Sequence, residues 1–209
     1  WTGLYLREVP RILARSYPAL ALVLVSLAGA LWVGWEVAIR FRIPAEYIPL
    51  DQITEETFRQ ASAISLLPAL TPWGILQNNL RALILAAILG TFSFGSLAAI
   101  LLMAPIVIIA YATCQVAWAG YDPLTFVLTF IAPHGVLEMP AAIIATALAV
   151  RLGATFIAPP RGMTVGEGWM QALADFVKVF VAVVIPLLAL AAAVESFLTP
   201  ALVLAVYGR

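Results

Sequence analysis

The chain has 209 residues, of which 64% are hydrophobic and 11% charged, and its formal net charge is zero. Soluble domains are close to half apolar and a quarter charged, so this composition and a mean hydropathy of +1.04 place the chain in a membrane. No Lys/Arg cluster points to nucleic acid, and a single cysteine, Cys114, excludes an internal disulfide.

The chain begins at Trp1 rather than methionine, which leaves room for a native segment before it, and no secretory signal pattern is visible. A bilayer core of about 30 Å takes roughly 20 helical residues. The first span is expected over residues 17–38, with Arg7, Arg11 and Arg15 before it and a small-residue stripe at Ser26, Ala30 and Gly34. Residues 39–72 form the one long polar connection. Within it "TEETFRQASAISLL" predicts a short helix lying along the interface, capped by Thr54 and carrying Glu55 and Glu56 in its first turn.

Residues 82–119 carry no charge. As one helix they would be about 57 Å long, too long for any bilayer, so the chain must fold back at "TFSFGS" (91–96). That predicts a second span over 77–94, with a small-residue stripe at Ala82, Ala86 and Gly90, and a third over 97–119, kinked at Pro105. A fourth span is expected over 133–152. Thr164 and Glu167 form a capping box that starts a helix, and the fifth span follows over 169–195, ended by "TP" at 199–200.

An odd number of spans puts the termini on opposite sides. Arg7, Arg11, Arg15, Arg151, Arg161 and Lys178 then share one side, and Arg40, Arg42, Arg59, Arg81 and Arg209 the other. The three arginines before the first span predict a cytoplasmic N-terminus and an extracytoplasmic C-terminus.

In this topology the unusual polar residues gather at one side. Asn78, Asn79 and Arg81 open the second span, His134 and Glu138 open the fourth, and Glu195 closes the fifth. His134 and Glu138 are four apart and share a helix face. A carboxylate at the bilayer centre costs on the order of 3 kcal/mol, so such a group faces the bundle interior and finds a partner. Pro140 is a second expected kink and leaves a free carbonyl one turn back, at Val136. Four readings of this cluster stand side by side. It is a structural network in which Arg81 neutralises a glutamate, an open metal site of His134, Glu138 and Glu195, a proton or ion relay, or a docking pocket for lipid or a partner. A chain with one histidine cannot carry the two histidines of the H-E-x-x-H protease motif. No Gly-rich phosphate loop and no Ser-His-Asp arrangement is present, so no cofactor is expected and any ATPase would be a separate chain.

Three segments, "QNNLRALILAAILG" (77–90), "APHGVLEMPAAIIA" (132–145) and "AAAVESFLTPAL" (191–202), resemble the stage II sporulation protein M family of integral membrane proteins. The resemblance covers roughly residues 70–202 and carries over Asn78, Asn79, Arg81, His134, Glu138 and Glu195. It departs in the third span, where "YATCQVAWAG" replaces an expected Asn-Gly pair. The resemblance implies a bacterial or archaeal membrane protein without catalytic activity of its own, anchoring peptidoglycan-cleaving partners in cell-envelope remodelling. Family members also occur beside ATP-binding transport subunits, so a transporter subunit driven by a separate ATPase or a proton gradient is the alternative, and an intramembrane metallohydrolase a third. The expectation is an all-α polytopic bundle of about five spans with one or two interfacial helices, folded as a single transmembrane domain. Its expected partners are lipid and envelope proteins, and its small-residue stripes suit a homodimer or packing within one chain.

Overall fold

Helices account for all regular structure among the residues described by this computed structural model, which are 2–54, 56 and 71–208. The expected interfacial helix in the 39–72 connection falls almost wholly outside the described residues. A short helix α1 (Val9–Arg15) leads into five helices long and apolar enough to cross a membrane. These are α2 (Tyr17–Arg40), α3 (Pro72–Phe92), α4 (Ser96–Trp118), α5 (Pro123–Ala154) and α6 (Val165–Tyr207). The fold-back between α3 and α4 lies where the charge-free stretch requires it. Phe94 and Gly95 take positive φ there, at 55° and 96°, and the Gly95 N–H donates to Gly90 O at 2.7 Å, closing the end of α3. At the start of α6, Thr164 Oγ1 accepts from the Glu167 N–H and the Glu167 carboxylate accepts from the Thr164 N–H, the reciprocal cap that the sequence predicts. Asp122 caps α5, accepting from the Thr125 backbone N–H and hydroxyl. The Thr125 hydroxyl, then its backbone N–H, holds the Asp122 carboxyl below the usual carboxylate range.

The last helix does not stop at Thr199–Pro200. It continues to Tyr207 because the backbone first widens into a π-helical turn, Val194–Leu198, in which the Thr199 N–H donates to Val194 O. The same device recurs at the other π-helical turns among the described residues. The Val9, Ala132 and Ile185 N–H groups donate to Leu4, Val127 and Phe180 O, and each of these donor residues is followed by a proline. A proline in an α-helix clashes with the carbonyl four residues back and leaves it unpaired; the wider turn moves that carbonyl aside and keeps the helix going. Pro105 and Pro140, the expected kinks, sit in continuous α-helical stretches and are exposed.

The chain packs as two compact units. The first contains residues up to Ala30, Arg81–Ile106 and Met139–Pro186. Its interior is alanine-rich, with Ala30, Ala86, Ala98, Ala141 and Ala149 buried, and the small side chains let backbones approach closely. A Cβ on Gly90 would lie 2.8 Å from Ala98 Cβ, and one on Gly153 would strike the backbone of Gly90, Phe94 and Gly95. Arg151 of α5 forms a 2.8 Å ion pair with Asp175 of α6, with both side chains mostly buried, and also donates to Ser16 Oγ. The leading segment is tied to α6 by Tyr5 Oη donating to Ala182 O and by Lys178 pairing with Glu8.

The second unit contains Leu31–Leu80, Val107–Glu138 and the residues from Leu187 onward. Gly34 of α2 sits against Val107 O and Ala110 Cβ of α4, so the first small-residue stripe ends in a close helix contact. The segment "YATCQVAWAG" holds the end of α2. Gln115 Nε2 donates to Phe41 O at 2.8 Å, Gln115 Oε1 accepts from the Ile43 N–H at 3.0 Å, and Tyr111 Oη also donates to Phe41 O. A helix end leaves carbonyls without intrahelical partners, and one buried glutamine here supplies both donor and acceptor. Gln115→Ala should cost about 1 kcal/mol, because it removes the acceptor for the Ile43 N–H and one of the two side-chain donors to Phe41 O at a part-buried helix end; thermal unfolding in detergent measures it.

Candidate functional site

Three helices of the second unit build the polar site. The π-helical turn Val127–Ile131 precedes Ala132–Pro133 and sets the phase of the next stretch, placing His134 in its first turn and Glu138 one turn on. Glu195 lies inside the π-helical turn of α6, and α3 contributes Asn79. Single-turn π-helical insertions rotate every later side chain relative to the earlier ones and are frequent at functional positions.

One ligand-capable atom from each of His134, Glu138 and Glu195 lies within 4.8 Å of the others, and all three residues are half-buried. Asn79 Nδ2 donates to Glu138 Oε1 at 3.1 Å, fixing that carboxylate. Thr199 Oγ1, on a buried residue, lies 3.4 Å from His134 Nδ1 and orients the imidazole. At that length the contact positions a ring better than it activates a hydroxyl. Among the described residues Glu195 has no hydrogen bond or ion pair of its own.

Of the residues singled out in the sequence, Asn79, His134, Glu138 and Glu195 come together. Asn78 is exposed and makes no hydrogen bond among the described residues. Arg81 belongs to the first unit, is exposed, and makes no hydrogen bond or ion pair among the described residues. The other described basic residues of the second unit are engaged elsewhere, Arg40 with Glu36 at 3.7 Å and Arg42 over the Trp118 ring at 4.4 Å. Two carboxyl groups thus face each other in a half-buried place with an imidazole and an amide beside them.

Sequence reasoning does not single out Thr199 as a partner of His134, or Arg151 with Asp175 as a pair. The signal for the pair is present, since Asp175 lies in a mostly apolar stretch, "LADFVKV". The family model of stage II sporulation protein M matches residues 19–200. No curated protein and no solved structure matches the chain significantly. The match covers all five membrane-length helices or most of each, and the chain belongs to the stage II sporulation protein M family.

Proposed function

We propose that the chain is a non-catalytic membrane scaffold that docks a partner protein of the cell envelope, using the end of the second unit where Asn79, His134, Glu138 and Glu195 meet. The observation that carries this reading is that three separate helices converge on one half-buried site of two carboxyl groups, an imidazole and an amide. Such a site costs insertion free energy, and a docking or ligand role accounts for keeping it. The N-terminus is taken as cytoplasmic, which turns this end toward the outside, where envelope proteins and lipid headgroups are accessible.

The test is comparative capture. Tagged wild type and Asn79→Ala, Glu195→Gln variants are solubilised from their native membrane, and the copurifying chains are identified by mass spectrometry. Wild type should retain an envelope partner that both variants lose at least tenfold, with all three eluting alike in detergent. Identical partner sets for wild type and variants would remove the site from docking.

A further inference from the structure

We propose that His134, Glu138 and Glu195 bind one divalent cation, with zinc as the first candidate. The inference goes beyond the docking reading and does not depend on it.

Geometry supports it first. Zinc takes nitrogen and oxygen ligands at about 2.0–2.2 Å in a tetrahedron, so two donors on one ion lie about 3.4 Å apart. The three donor atoms here already lie within 4.8 Å of one another, on two helices, and glutamate side-chain rotations that move the carboxylates by about 1–1.5 Å close the remainder. Charge supports it second. Two carboxylates this close repel each other, the described basic residues of the second unit are committed elsewhere, and a dication between the carboxylates relieves that repulsion. Outer contacts support it third. Ligating carboxylates and imidazoles are normally held by a second layer of hydrogen bonds, and here Asn79 holds Glu138 while Thr199 holds the His134 ring.

The donor set also speaks to which cation. Calcium and magnesium prefer all-oxygen cages or retain several waters, whereas one imidazole with two carboxylates suits zinc or manganese. Three protein ligands leave at least one position open, which water or a ligand from a docked molecule would fill.

The experiment uses the full chain purified in detergent, stripped with EDTA, equilibrated with zinc chloride and desalted before elemental analysis. Wild type should hold close to one zinc per chain. Glu138→Gln and Glu195→Gln should each hold under a tenth of that, while Glu195→His, which restores a ligand, should recover most of it. Zinc should also raise the wild-type Tm by a few degrees and leave Glu195→Gln unmoved. Manganese uptake at the same stoichiometry and with the same variant dependence would support the site as well. No retained metal in wild type, or equal retention in the glutamine variants, would overturn it. Metal content is read on the isolated chain, so failure to find a partner leaves this result standing on its own.

Discussion

Gly153→Ala should destabilise the protein by about 3 kcal/mol or more, lowering the Tm in detergent by on the order of 10 °C. The reason is the nature of what the new methyl group meets. It would overlap the Gly90 carbonyl, the Phe94 carbonyl carbon and the Gly95 amide, all backbone atoms of the α3–α4 fold-back that cannot rotate aside. That turn is already constrained, because Phe94 and Gly95 hold positive φ and the Gly95 N–H is bonded to Gly90. The matching control is Gly29→Ala in α2, where a Cβ meets nothing within 4 Å. That change should leave the Tm unchanged or raise it slightly, since alanine is the better helix former by about 1 kcal/mol. A measured loss at Gly153 no larger than at Gly29 would mean that α3 and α5 do not approach as described.

Asp175→Asn should cost about 3–5 kcal/mol, the expected penalty for stranding one charge of a buried pair. Arg151 and Asp175 side chains are only 17% and 11% exposed, so water replaces the lost partner only in part. Ser16 Oγ, 3.3 Å from Arg151, is neutral and cannot replace a carboxylate. Removing both charges with Arg151→Met and Asp175→Leu should recover most of the loss, because a well-packed apolar pair is often no less stable than a buried ion pair. Urea or thermal unfolding of the two single variants and the double variant measures the coupling directly. Additive losses would contradict the pair.

Much of the fold is legible in the sequence because a membrane imposes few solutions. Charge-free stretches longer than a bilayer must reverse, and "TFSFGS" holds the residues suited to it. Small residues four apart identify close helix contacts, and Gly34 and Gly90 occupy them. The site is legible in part for a similar reason. His134 and Glu138 share a face by helical period, and an odd number of spans brings Glu195 to the same end.

The hidden features depend on helix phase. A proline in an apolar run can stop a helix, kink it or succeed a π-helical turn, and residue type alone does not distinguish these. Pro200 therefore reads as an end, where α6 in fact continues to Tyr207. An inserted residue also rotates all later side chains by about 100°, so which asparagine of the 78–79 pair faces Glu138 cannot be counted from the sequence. The Arg151–Asp175 pair joins residues on different helices, and Arg151 follows the π-helical turn Val127–Ile131, whose insertion shifts its rotation. Gln115 reads as a departure from the family pattern because its partners are backbone atoms near the end of α2, and backbone atoms leave no trace in residue identity.

His134, Glu138 and Glu195 form either a site that binds something or a lock that holds the helices together, and the Tm of Glu195→Gln against wild type separates the two. EDTA is present in both samples. Glu195 has no hydrogen bond or ion pair among the described residues and faces a second carboxylate, so neutralising it should leave the Tm unchanged or raise it. A fall of about 10 °C or more, on the order of 3 kcal/mol for a chain of this size, would show that Glu195 belongs to a stabilising network and contradict a binding site.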